Sequence, residues 1–331
     1  MRKIYQVTNN IPKRELVLEL ASLSQLTYEV NKQTPTKIEN ILTEGCSPLV
    51  QSYESVEFLY TRGTTRNSQK VVPCGFVALN SENLVIAIRG TENLEDYYYN
   101  LLAMPNTQTI HSGFDFYVNS FWEQLEEIIN RANTDQKNIL ITGHSLGGAA
   151  AILISQRLST ILANAKSATY VFGSPPVSTQ KLNSNIPIYR FVNSGDLIPH
   201  LPQMISSLIR KTPGLRKAIA TWQPDLPELI SKYSHEGREY QIDSEYQISE
   251  VTEPDLGGLK QWLRLSQIVL LQLRQLDSST LNNLRSSKLS RIIKSLIEES
   301  LLEHRAIEYL RRLNYGQLPP WFEQRIPYLS H

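Results

Sequence analysis

NILITGHSLGGAAAILISQRLST, residues 138–160, decides how this chain is read. NILIT is a short apolar run of strand type. GGAAAILISQRLST, from Gly147, is a strong helix former. Between them lies G-x-S-x-G, with Ser145 flanked by Gly143 and Gly147. A tight strand-to-helix turn exposes a serine hydroxyl. It imposes unusual backbone angles and crowds the residues two before and two after, where glycine removes the obstructing Cβ. The helix that follows points its positive end at the serine. The same letters also fit an ordinary strand-to-helix connection, and G-x-S-x-G arises by chance about one time in ten in a chain this long. Context separates the two readings.

Outward from the turn, strand and helix alternate. ELVLELASLSQLTYEV (15–30) has helical spacing. VEFLYTRGTTRN (56–67) and VVPCGFVALNSENLVIAIRGT (71–91) read as strands, with SEN as a turn. LVIAI (84–88) is continuously apolar, as a strand covered on both faces must be. Residues 112–133 carry Phe116, Phe121, Leu125 and Ile128 at mixed helical spacings, and SATYVFGSPPV (167–177) and IPIYRFVNSGD (186–196) read as two further strands ending in polar turns. This pattern predicts a mostly parallel α/β sheet. Beyond Asp196 the chain turns helical and leucine-rich, with additions at about 201–223 and 256–300. With no repeat and no clear linker, one domain over 1–331 is expected.

Composition excludes several classes. Of 331 residues, 41% are hydrophobic and 20% charged, enough for a sizeable core and against general disorder. The formal net charge of +1 gives no global field to draw nucleic acid. Cys46 and Cys74 are the only cysteines, too few for a disulfide framework or a zinc site. They fit a reducing compartment. The first 23 residues lack the apolar core of a secretory signal, and no run of about 18 apolar residues exists to span a bilayer. A cytoplasmic location is the expectation. On oligomeric state the sequence is silent.

A serine nucleophile needs a base, the base an orienting acid, and the oxyanion two donors. Asp196 ends a strand-like run in the turn NSGD, whereas Asp225 and Asp243 lie in less regular sequence. Of six histidines, His111 precedes the serine, His144 adjoins it and points elsewhere, His200 is too near Asp196, and His331 is terminal. His235, in YSHEGREYQI, and His304, in LLEHRAIEYLRRL, remain. Local chemistry favours His235, which sits beside a glycine in a loop, while His304 lies in helical sequence. The backbone N–H of Leu146 supplies one oxyanion donor. IRGT (88–91) ends a strand in a glycine turn and offers Thr91 as the second.

Together, LVIAIRGTENLEDYYYNLL, HSGFDFY, ILITGHSLGGAAA, YVFGSPPVS and YRFVNSGDLIPHLP resemble the class 3 lipases, the fungal-lipase-like branch of the α/β hydrolases. The resemblance covers roughly 15–245 and a stretch near 304. It implies an α/β-hydrolase fold with Ser145 as nucleophile, Asp196 as acid, and Thr91 and Leu146 at the oxyanion hole. It makes 92–104 a lid-like segment. It also implies that the base is His304 rather than His235, because an aromatic, Tyr309, follows within a few residues. Glu303 departs from the aspartate common at its position. The implied activity is carboxylic ester hydrolysis of a lipid, either an acylglycerol or a glycerophospholipid or galactolipid, without metal or cofactor. Two other functions stay open: an interaction or signalling module using the helical region, and a short-chain carboxylesterase. Lys260, Arg264, Arg274, Arg285, Lys288, Arg291 and Lys294 stand against one acid, Asp277, in 259–297. Arg210, Lys211, Arg216 and Lys217 cluster in the other addition. That pattern suits peripheral contact with an anionic membrane, but more readily a solvated face over a leucine core.

Overall fold

The computed structural model describes residues 11–30, 34–44, 52–61, 71–91, 109–132, 137–162, 166–200, 226–251 and 302–326, with single positions between them. The lid-like segment 92–104 and the addition at 256–300 lie outside the described residues. So does most of 201–223, including Lys211, Arg216 and Lys217.

Eight strands form one sheet in sequence order: β1 (Ser55–Thr61), β2 (Val72–Leu79), β3 (Asn83–Ile88), β4 (Asn138–His144), β5 (Lys166–Phe172), β6 (Ile188–Asn193), β7 (Arg238–Ile242) and β8 (Ile248–Glu250). Strands β3 to β7 are parallel; β1, β2 and β8 join antiparallel at the edges. The protein therefore has the mostly parallel sheet that the alternating pattern predicts. The turn read at SEN is present: Asn80 Oδ1 accepts from the backbone N–H of Glu82 at 3.0 Å and of Asn83 at 2.8 Å.

Sequential order in a parallel sheet puts right-handed crossovers on one face. That face carries α3 (Ser112–Asn119), α4 (Trp122–Arg131) and α5 (Leu146–Ile161). The other face is covered by elements remote in sequence: α1 (Arg14–Glu29), α2 (Pro35–Thr43), α7 (Ala306–Leu313) and α8 (Pro320–Arg325). The short α6 (Leu226–Lys232) precedes β7. The apolar run of β3 serves both layers. Leu84, Ile86 and Ile88 pack under the crossover helices, and Val85 and Ala87 under the terminal ones. Helix α1 is buried from Leu16 to Glu29, so it is a core element rather than a surface helix.

Three element boundaries shape the core and the site. Residues 112–133 form two helices, because Phe121 leaves the helical region (φ −133°, ψ 4°). The break lets Phe114 and Val118 on one piece, and Leu125, Ile128 and Ile129 on the other, all reach the core. Strand β5 stops at Phe172, where Gly173 turns with φ 57°. Strand β6 stops at Asn193, whose carbonyl accepts from Asp196 N at 2.9 Å in a tight turn. Both strands end in turns that deliver the residues that follow them. No described helix is long and apolar enough to cross a membrane.

Candidate active site

The site gathers at the carboxyl ends of β3, β4 and β6. Ser145 caps α5 with φ 55° and ψ −122°, a region that costs a non-glycine residue about 1–3 kcal/mol. Surrounding bonds hold it there. Its N–H continues the parallel ladder to Phe172 O at 2.9 Å, and its carbonyl accepts from Ala149 N at 3.0 Å. The glycines are required sterically. A Cβ on Gly143 would overlap the Gly147 carbonyl, and one on Gly147 would overlap the backbone of Ile88, Arg89 and Gly90.

Ser145 Oγ–H donates to His304 Nε2 at 2.9 Å, and His304 Nδ1–H donates to Asp196 Oδ2 at 2.7 Å. Tyr309 Oη–H donates to the same carboxylate oxygen at 2.6 Å, and Ile198 N–H to Oδ1 at 2.9 Å. Ser145 and His304 are 0% exposed and Asp196 2%, so these bonds act in a poorly solvated environment where they are strong. Burial and the Asp196 charge push the Tyr309 phenol well above its usual range, which keeps it a donor. Gly173 makes room for the pair: a Cβ there would lie 2.9 Å from Asp196 Oδ2 and 3.0 Å from His304 Cε1.

The turn that carries Thr91 lies against the start of α5. The crowding of Gly147 by Ile88 to Gly90 fixes that approach, and Tyr117 Oη–H donates to Arg89 O at 2.8 Å to brace it. Leu146 is the first residue of α5, where helical geometry leaves N–H groups without internal acceptors. Among the described residues, no group of three or more His, Cys, Asp or Glu side chains converges to hold a metal ion.

The structure brings Ser145, Asp196 and His304 together and leaves His235 apart. His235 Nε2–H donates to Pro199 O at 2.9 Å, in the turn after Asp196, and its Nδ1 is buried without a bond. Burial first, then the charges of Arg190 and His200, hold its pKa well below 6.5. Local sequence prefers His235 because it sits close to a glycine in a loop; here its ring turns to Pro199 O and away from Ser145. His111 caps α3 instead, its Nδ1 accepting from Gly113 N at 3.0 Å.

The model of the class 3 lipases matches residues 85–206, which hold Thr91, Ser145, Leu146 and Asp196. Over this segment the chain is similar to the class 3 lipases. His304 and Tyr309 lie beyond the matched segment. A lipase of Caenorhabditis elegans is 26% identical over 158 residues, covering 41% of this chain and 43% of that protein. A lipase of Rhizomucor miehei is 27% identical over 142 residues, covering 37% and 38%. The matches thus span less than half the length of these relatives. Among solved structures, the Rhizomucor miehei lipase propeptide complex aligns with a TM-score of 0.50 at 20% identity over 72% of this chain and 71% of that one. Lipase II from Rhizopus niveus aligns with a TM-score of 0.50 at 19% identity over 73% and 85%. These likenesses show the shared fold.

Three residues of the site escaped sequence reading. Tyr28, Asn193 and His144 each bond a partner more than 100 positions away, and no local pattern marks such contacts. Tyr309 was visible only as an aromatic following a histidine; its bond to Asp196 was not.

Proposed function

We propose that this protein is a serine carboxylic ester hydrolase that acts on lipid esters. The observation that carries the reading is the unbroken hydrogen-bond chain from Ser145 Oγ through His304 to Asp196. The lipase kinship supports a lipid as substrate.

In this reading His304 Nε2 takes the Ser145 proton as Oγ attacks the ester carbonyl carbon. Asp196 holds the imidazole through Nδ1 and stabilises its cationic form. The backbone N–H groups at Thr91 and Leu146 stabilise the oxyanion. His304 returns the proton to the departing alcohol, leaving an acyl group on Ser145. Water, deprotonated by the same nitrogen, then releases the fatty acid. Acylglycerol, phospholipid and galactolipid esters all fit this chemistry. Ser145 is fully buried, so a substrate reaches it only when the surrounding chain opens.

Ser145→Ala removes the nucleophile and is expected to lower ester hydrolysis on the order of 10⁵-fold or more without altering the thermal melt. A fluorophosphonate should label wild-type protein at Ser145 only. Retained hydrolysis in the variant would refute the assignment. A series of p-nitrophenyl esters and lipid emulsions sets the substrate class. A preference for the shortest acyl chains in solution would make the protein a soluble carboxylesterase instead.

A further inference from the structure

The reaction proposed above needs His304 at hydrogen-bond distance from Ser145, and His304 ends a helical turn, residues 302–304, in which Arg305 N–H donates to Leu302 O at 3.2 Å. Helix α7 begins only at Ala306. The backbone N–H groups of Glu308 and Tyr309 both turn to Arg305 O. The carbonyls of Glu303 and His304 are met by side chains instead. Asn193 Nδ2, at the end of β6, donates to Glu303 O at 2.8 Å. His144 Nε2, at the end of β4, bonds His304 O at 2.5 Å. The strands that deliver the acid and the nucleophile therefore also grip the backbone of the base.

We propose that His144 is a positioning residue: its Nε2–H holds the His304 carbonyl, and Tyr28 fixes the tautomer that makes this possible. A carbonyl oxygen can only accept, so Nε2 carries the proton. Nδ1 is then bare, and it receives Tyr28 Oη–H at 2.8 Å. Tyr28 stands on α1, which is itself locked in the core. The linkage runs from α1 through the residue preceding the nucleophile to the backbone of the base, entirely out of solvent.

The neutral state of His144 matters to the chemistry. Its ring centroid lies 4.8 Å from that of His304. A cation there would oppose the imidazolium that His304 must become when it takes the serine proton. Burial first, and then His304, hold His144 well below the usual histidine range, so the neighbour stays uncharged. His144 thus supplies a donor to the backbone while adding no charge beside the base.

This inference rests on the hydrolase reading, and the test separates the two. His144→Phe keeps a ring of similar size but removes the donor to the His304 carbonyl and the acceptor of the Tyr28 hydroxyl. His144→Gln keeps an N–H at nearly the same reach. With a p-nitrophenyl ester, H144F should lower kcat about 10- to 100-fold with KM within about threefold, because ground-state binding does not use the base. H144Q should recover kcat to within about fivefold of wild type. The far-downfield proton resonance of the His304–Asp196 hydrogen bond should be sharp in wild type and H144Q, and broadened or lost in H144F. Should H144F fail to fold, Tyr28→Phe decides in its place: it should lower kcat several-fold by releasing the tautomer.

A folded H144F with wild-type kcat and an unchanged resonance overturns the inference. So does an equal loss in H144F and H144Q that follows their melting temperatures, since that marks packing alone. An indifferent Y28F, where H144F does not fold, does the same. Wild-type protein that neither cleaves the ester nor labels at Ser145 defeats the hydrolase reading itself, whatever the variants do.

Discussion

The elbow around Ser145 and the turn around His304 supply two halves of one site by opposite means. The elbow is self-contained. Its strand, its two glycines and its helix fall within residues 138–161, and its tight contacts run to its own residues and the neighbouring strand end. The His304 turn takes its geometry from elsewhere. Its partners Asp196, Asn193, Ser145 and His144 lie 108, 110, 159 and 160 positions away. The elbow is local in sequence, braced by Phe172 O and by the end of β3. A turn built from remote partners becomes accurate only when the whole sheet and its terminal helices are in place.

The strongest way to break this contrast is to attack the elbow through one methyl group. Gly147→Ala gains about 1 kcal/mol in helix propensity. Yet its Cβ would overlap the Ile88 carbonyl and crowd Arg89 C and Gly90 N. Those are backbone atoms and cannot rotate aside. We expect a net loss of about 3 kcal/mol or more, or failure to fold, measured by urea denaturation. Stability within about 0.5 kcal/mol of wild type, with Ser145 still labelled, would mean that the elbow is not fixed by close packing.

Tyr309→Phe probes the other half with a smaller expected effect. The phenol donates to Asp196 Oδ2 and accepts from Asn193 N at 3.2 Å. Removing it leaves a buried carboxylate with one donor fewer and an amide without an acceptor, at a cost of about 1–3 kcal/mol. The Ser145 elbow is untouched. The expected outcome is a roughly tenfold drop in kcat on a soluble ester, with fluorophosphonate labelling slowed in parallel. Unchanged kcat would show that Asp196 is held well enough by His304 and Ile198 alone.

This division also explains what could be read from the chain. The parallel sheet, the Ser145 turn and the NSGD turn are local patterns, so periodicity and glycine placement suffice for them. The apolar run 84–88 announces a doubly covered strand, and β3 is one. The choice of base was not local. His235 has the better immediate surroundings, but it is spent bracing Pro199 O behind Asp196. His304 looks like one more residue of a leucine-rich helical stretch, and only the resemblance to a family singled it out. Likewise α1 reads as an amphipathic helix. Nothing in its sequence says that its last turn sends a tyrosine to the residue beside the nucleophile. The Glu303 departure has a physical sequel as well: the longer acid packs over Gly195 and reaches Arg312 on α7.

That ion pair gives the finest test of how the His304 turn is held. Glu303 Oε2 and Arg312 Nη2 are 2.6 Å apart, and the side chains are 33% and 14% exposed. Solvent screens such a pair, and its net worth is about 1 kcal/mol or less. The two carbonyl bonds from Asn193 and His144 are buried and directional, so they set the position of the base while the ion pair adds only to its tenacity. Arg312→Gln should therefore lower kcat less than about threefold. The loss should shrink as salt is raised from 10 mM to 500 mM, because the pair is already weakened in wild type at high ionic strength. A tenfold loss that persists in high salt would reverse the order of importance. It would place the control of the base in the charge of Glu303, beside the acid loop, rather than in the grip of the two strand ends on its backbone.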